Sequence, residues 1–187
     1  MADVPNSGPA APPPPVWDAQ PSGTGVQRYA GFWMRVLAAV IDAIALAILS
    51  KIIGFFLPAP LEPPNTTDLG ALMTYASAML PPSTLIANAL LVWAYFAFQE
   101  SSSAQASLGK RLLGLRISTE DGGKLTLAAA SLRAWPMYLA NVGWLVAPAL
   151  GWLITLAALI ACISVAFSDR KQGLHDRMAK ALLTKTR

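Results

Sequence analysis

Cysteine and histidine each occur once in the 187 residues, as Cys162 and His175, and only 13% of the chain is charged. One cysteine forms no disulfide within the chain, and because it lies inside an apolar run the redox compartment stays open. One histidine excludes a His-rich metal site. The charged fraction is about half the usual share for a soluble domain, too little polar surface to cover a core. Catalytic patterns are missing as well. "SLGKR" has the pair Gly109-Lys110, but Arg111 stands where a P-loop needs Ser or Thr, and no glycine precedes at the required spacing. His175-Asp176 has the dipeptide of metal-dependent phosphohydrolases without the other histidines such a site uses. Ser101 to Ser103 have no nucleophile context. The expectation is no enzyme, no metal and no cofactor.

Long apolar runs are what the chain has instead. A helix needs roughly 20 residues to cross hydrocarbon. The first run spans about 32–57 and is stopped by Pro58 and Pro60; the prolines from 58 to 64 then forbid regular helix. The second spans about 81–98, with its proline pair suited to a first turn. Residues 71–80 before it read as a short interfacial helix. The third and fourth, about 126–146 and 148–167, share one long apolar stretch broken near Gly143 and Pro148. The first 27 residues carry seven prolines and no basic n-region, so they read as a disordered, partly polyproline cytoplasmic tail and not as a cleavable signal. A proline-binding protein partner is the other use such a tail suggests.

Lys and Arg orient these runs. The loop from 58 to 80 has Glu62 and Asp68 and no base, whereas Lys110, Arg111, Arg116, Lys124 and Arg133 fall between 99 and 133. The tail after Phe167 is basic too. The positive-inside rule puts both basic segments and both termini in the cytoplasm of a bacterial cell, with the protein in the inner membrane. Residues 134–167 then cross an even number of times, which favours four spans over three. The net charge of +4 flanks apolar runs, which suits an anionic bilayer surface and not nucleic acid. The fold class is thus an all-α membrane protein of about four transmembrane helices. "LRISTEDGGKLTL" adds a small cytoplasmic β-hairpin at about 115–127, turning at Asp121-Gly122-Gly123 with Gly122 at positive φ. "ALLTK" near the C-terminus offers a third strand.

Charges inside the runs are the candidate functional residues. Arg35 and Asp42 are seven apart and share a helix face. Arg35 follows an aromatic pair, so it either snorkels to headgroups or turns inward. Asp42 lies deeper, where a carboxylate needs a proton, a cation or a hydrogen-bonded partner. Arg133 stays charged and needs an anion from Asp42, Glu100 or the C-terminal acids Asp169 and Asp176, beside His175. The preferred pairs are Arg133 with Asp42, and Arg35 with Asp176 or Glu100. Lys51 reads as a snorkelling residue and Asn88 as an interhelical hydrogen-bonding one.

Three stretches together resemble the RDD family of bacterial membrane proteins, named for one arginine and two aspartates. They are "YAGFWMRVLAAVIDAIAL", "SLGKRLLGLRISTEDGGKLTLAAASLR" and "DRKQGLHDRMAK", and the resemblance covers about residues 29–180. It makes Arg35, Asp42 and Asp176 the three named residues. Where the family tends to read Ala-Gly-Thr, this chain has Ala179-Lys180-Ala181. The resemblance implies transport of small ions or ligands, since some halophile members resemble sodium/proton antiporters in activity. Four short helices are few for a transport path, so the transporting form is expected to be a homo-oligomer. The rival is a non-transporting membrane scaffold or assembly factor that binds partners through its cytoplasmic hairpin and tails.

Overall fold

The computed structural model describes residues 28–78 and 80–186, so the tail read from residues 1–27 lies outside the described residues. Four long helices dominate. Helix α1 (Phe32–Gly54) is rich in Ala, Leu and Ile and free of proline, and it ends three residues before the expected Leu57. A proline-interrupted loop follows, then α2 (Leu69–Ala78), whose first turn is capped by the Asp68 carboxylate accepting the Ala71 N–H at 2.9 Å. Helix α3 (Pro82–Ser101) opens with proline at its first position, where the missing donor costs nothing. The "LGKRL" segment winds into a single turn, α4 (Leu108–Leu112).

Helix α5 (Leu127–Val146) begins at Thr126, whose hydroxyl oxygen accepts the Ala129 N–H at 3.2 Å. Ala147 is extended, as a residue before proline tends to be, and Pro148 starts α6 (Pro148–Ile163). A 3-10 turn carries the run on to Phe167. Glycine is required where α5 meets α6. A Cβ on Gly143 would stand 3.0 Å from the Gly151 Cα, and one on Gly151 would stand 2.6 Å from the Trp144 ring. These contacts hold the two helices as an antiparallel pair. The short α7 (Leu174–Met178) and the last strand complete the chain.

The expected hairpin between residues 115–118 and 124–127 does not form. Strand β1 (Leu115–Thr119) pairs antiparallel with β2 (Ala181–Lys185), with Ile117 opposite Leu183 and Thr119 opposite Ala181. "ALLTK" is therefore the partner strand and not a third one. The turn at Asp121-Gly122-Gly123 is present: the Gly122 N–H meets the Thr119 carbonyl at 2.9 Å, and Gly122 has φ +79°. Beyond it, Leu125 drops into the core and Thr126 caps α5, so no residues remain for a returning strand. The apolar pair Leu182-Leu183 offers a better buried edge than Lys124 to Leu127 do. The segment before α1 joins from the other side, the Ala30 N–H reaching the Leu183 carbonyl at 2.9 Å and the Lys185 N–H the Arg28 carbonyl at 2.8 Å. Beneath lies a core of Ala30, Ala38, Leu115, Ile117, Leu125, Ala130 and Leu183. Residues 28 and 186 therefore lie at the same end of the molecule, with β1.

Lys180, which stands at the glycine of the family's Ala-Gly-Thr, has φ +49°. A Cβ costs energy there that glycine avoids. Lys180→Gly is expected to stabilise the protein by up to about 1 kcal/mol. A lower melting temperature in detergent would contradict this reading of the turn.

The surface is inverted relative to a soluble domain. Trp33 is 78% exposed and Phe55 85%, whereas Asp42 and Glu100 are 1% exposed and Asp176 is fully buried. Apolar residues line the outside of α1, with Val40, Ile44, Ile48 and Ile52 all exposed. So much contiguous apolar surface marks contact with lipid or protein. Helix α1 and the helical run Pro148–Phe167 are long and apolar enough to cross a membrane.

Candidate functional site: a buried charge cluster beside a crevice

The cluster is assembled from the sheet-proximal ends of the long helices. Arg35 lies in the first turn of α1, Glu100 in the last turn of α3, and Arg133 in the second turn of α5. Asp176 comes from α7, Lys110 from α4. Helix α3 packs along α5, and α7 also sits on α5, so Arg133 is held between two acids. Its Nη1 donates to Glu100 Oε2 at 2.7 Å, and its Nε lies 2.8 Å from Asp176 Oδ1. The second contact is a close charge pair whose N–H points off the oxygen, and it makes no hydrogen bond. Arg35 donates from Nη1 to Asp176 Oδ2 at 2.6 Å, from Nη2 to the Lys171 carbonyl at 2.5 Å, and from Nε to the Ala30 carbonyl at 3.2 Å. Lys110 donates to Glu100 Oε1 at 2.9 Å and sits 5.0 Å above the Phe96 ring.

Asp42 belongs to a second, adjoining network. Tyr95 Oη and the Gly109 N–H both donate to its Oδ1 at 2.7 Å, and Ser107 Oγ donates to Oδ2 at 2.6 Å. Lys110 Nζ donates to Ser107 Oγ at 3.1 Å and so links the two networks. The carboxylate thereby ties α4 and α3 to the middle of α1.

The expected pair of Arg133 with Asp42 is therefore not made. Both oxygens of Asp42 are taken by neutral donors, and Glu100 is the acid that α3 presents to α5. Arg35 meets Asp176; it makes no ion pair with Glu100 among the described residues. Asp169 is exposed in the turn before α7 and stands apart from the cluster. Asn88 accepts a hydrogen bond from Ser50 Oγ at 3.0 Å, joining α1 to α3, and Lys51 is exposed. Tyr95, Ser107, Gly109 and Lys110 were not expected in the site. Gly109 had one legible signal, its place in "SLGK", because only glycine lets that backbone lie against another helix.

His175 packs inside the cluster, Nδ1 3.2 Å from the Ala161 carbonyl and Nε2 3.3 Å from Asp176 Oδ1. Burial lowers its pKa to about 4; Asp176 pulls it up, while Arg133 and Arg35 push it further down. Burial works to raise the pKa of Asp176, but Arg133 and Arg35 outweigh it and hold the carboxyl well below its usual range. The unfolded histidine titrates near 6.5 and takes the extra proton first as pH falls. Its contribution to stability is thus complete above about pH 6.5 and is lost toward pH 4; that of Asp176 is lost only below about pH 3.8. Acidification to pH 5 is expected to cost about 2 kcal/mol through His175 alone. Melting curves of wild type and His175→Gln at pH 7 and pH 5 check this. An equal fall in both would remove His175 as the cause.

Beside the cluster lies a cavity of about 280 Å³. It separates α1 from α5 and α6. Val36, Ala39, Ala43 and Leu46 form its α1 wall, and Val92 and Met137 face them from α3 and α5. Arg35, Asp42, Glu100, Lys110 and Arg133 border it, and the free Cys162 is among its lining residues. Val36, Ala39 and Ala43 are exposed, so the space is a crevice open at the side and not a sealed void.

Apolar outside and charged within, the structure is of the integral membrane class. The chain belongs to the RDD family, which matches residues 29–180. Three Bacillus subtilis (strain 168) proteins are similar to it. The uncharacterized protein YxaI is 29% identical over 161 residues, covering 83% of this chain and 96% of its own. The uncharacterized membrane protein YteJ is 28% identical over 152 residues, covering 81% and 77%. The uncharacterized protein YckC is 24% identical over 159 residues, covering 85% and 86%. No solved structure matches.

Proposed function

We propose that this RDD protein is a multi-pass protein of the bacterial inner membrane that binds a small ligand in the α1 crevice and moves it across the bilayer. The carrying observation is the crevice itself, largely apolar along its length and bordered by five charged side chains, four toward the sheet end and Asp42 further along α1. Charges at membrane depth are retained where they bind, move or orient something. Four crossings by α1, α3, α5 and α6, with both termini cytoplasmic, are supported by the sheet. It gathers residue 28, β1 and residue 186 at one end, together with Arg28, Lys110, Arg116 and Lys185. A crevice open at the side is not a closed path, so transport is by a homo-oligomer in which a second copy completes the wall.

The role expected of Asp42, as a cation or proton ligand, is the least favoured part of this reading. Three donors already satisfy its oxygens, two on Oδ1 and one on Oδ2, and a cation would have to compete with them. That network is also the observation that favours the rival, a non-transporting scaffold in which Asp42 is purely architectural. Purified protein in liposomes with a trapped pH- or ion-sensitive dye separates the two. Dye response to a sodium, chloride or phosphate gradient, abolished by Ala43→Trp in the crevice wall, supports transport. Silence toward all three gradients leaves the scaffold.

A further inference from the structure

We propose that the crevice ligand is a long-chain carboxylate amphiphile of the fatty-acid type, with its head at Arg133 and its chain along α1. This rests on the ligand-binding reading above and names the class of ligand. Two independent observations carry it.

The first is the inventory of donors and acceptors. Five of the six carboxylate oxygens of the cluster accept a hydrogen bond, and the sixth, Asp176 Oδ1, accepts none and makes charge contacts only. Asp42 holds three donors, and the oxygens of Glu100 face Lys110 and Arg133. Asp176 Oδ2 accepts from Arg35 and from the Gly173 N–H, and its Oδ1 lies against Arg133 and His175. Arg35 uses all three of its nitrogens. Arg133 is different. It is 5% exposed, its Nε is poorly aligned, and Nη2 donates to no group among the described residues. A guanidinium has five N–H donors, and leaving them unmade inside a protein is costly. The open capacity of Arg133 is therefore for an acceptor, which a cation does not supply. A carboxylate matches the planar fork of an arginine.

The second is the shape and lining of the space beyond Arg133. From Arg35 to Leu46 the crevice follows α1 for eleven residues, roughly 16 Å along a helix. Its walls there are Val36, Ala39, Ala43, Leu46, Val92 and Met137, with Asp42 the one charged side chain along that length and its oxygens already accepting from Tyr95, Ser107 and Gly109. A buried water needs two to four polar partners, so water is a poor filling for that length. A single alkyl chain is a good one: it buries apolar surface, and its head reaches the unmet donors of Arg133. Small inorganic anions would leave the apolar length empty.

Cys162 makes occupancy measurable without adding a probe, since it is the chain's only cysteine and is among the residues lining the crevice. Wild-type protein in nanodiscs of neutral lipid is treated with a small membrane-permeant maleimide, with oleate, methyl oleate or acetate added. Oleate is expected to slow alkylation by about ten-fold at about ten times its Kd, because only the empty crevice reacts. Methyl oleate, which lacks the charged head, and acetate, which lacks the chain, are expected to leave the rate unchanged. Ala43→Trp, which fills the apolar wall and leaves every charged residue in place, is expected to abolish oleate protection in a protein that still elutes as folded. Equal protection by methyl oleate or by acetate would overturn the proposal, as would no protection by oleate. Protection by phosphatidylglycerol nanodiscs alone, with none added by oleate, would also overturn it in favour of a bilayer phospholipid. Oleate protection in a protein that does not speed oleate transfer across liposomes with a trapped pH-sensitive dye would sink transport and leave this assignment standing.

Discussion

Glu100→Gln is expected to destabilise the detergent-solubilised protein by about 3–5 kcal/mol, a fall in melting temperature on the order of 10 °C. Glu100 is fully enclosed and is the acid shared by Lys110 at 2.9 Å and Arg133 at 2.7 Å. Neutralising it leaves Arg133 with Asp176, which already faces Arg35 and His175, and leaves Lys110 with no ion-pair partner among the described residues. The loss exceeds the worth of the pair, because the desolvation of Arg133 and Lys110 stays in place with less to offset it. Arg133→Gln is expected to cost a similar amount for the mirror-image reason. The double variant should cost much less than the sum of the two, the signature of direct coupling. By contrast, Asp42→Asn and Arg133→Gln should combine additively, since Asp42 is held by neutral donors and Arg133 by other acids. Additive losses for Glu100 with Arg133 would show that the ion pair does not carry the stability assigned to it.

That comparison also marks what is legible in the sequence. Arg35, Asp42, Glu100 and Arg133 are conspicuous because each stands in or against an apolar run, where solvation cannot hold it, whereas Asp176 stands in a polar tail and is marked by the family resemblance. Which charge meets which is decided by how α3 and α7 seat on α5, and residues 100, 133 and 176 are too far apart in the chain for local spacing to relate them. Spacing on α1 places Arg35 and Asp42 on one face, and both do point inward, yet they enter two different networks. The β-pairing fails to be legible for a related reason. Asp121-Gly122-Gly123 is a strong local turn signal and the turn is there, but the strand that pairs with β1 lies 62 positions or more further on, where Leu182 and Leu183 can be buried. A local signal predicts the bend; burial of the distant segment decides the partner. The helix limits are legible to within a few residues because prolines 58, 81, 82 and 148 act on the backbone directly.

The other large effect is expected at Gly109, where the cause is backbone and not charge. A Cβ placed there would stand 2.2 Å from the Ala38 carbonyl oxygen and 3.1 Å from the Asp42 Cγ. The first is a contact with main chain inside α1, which has no rotamer to move aside. Gly109→Ala must therefore lift α4 off α1, and that lift withdraws the Gly109 N–H and the Ser107 hydroxyl from Asp42. The carboxylate is then left buried with Tyr95 as its remaining donor. Overpacking alone costs about 1–3 kcal/mol, and each buried polar group left unmade about as much again. The loss should thus exceed about 3 kcal/mol. Ser107→Ala removes one hydroxyl without forcing the helices apart and should cost less than half of that. Gly31→Ala, at a position with nothing near its missing side chain, should cost almost nothing. Melting temperatures of the three variants in one detergent give the order directly. If Gly109→Ala melts with Gly31→Ala, the close approach of α4 to α1 is wrong, and so is the account of why Asp42 is held at the middle of an apolar helix.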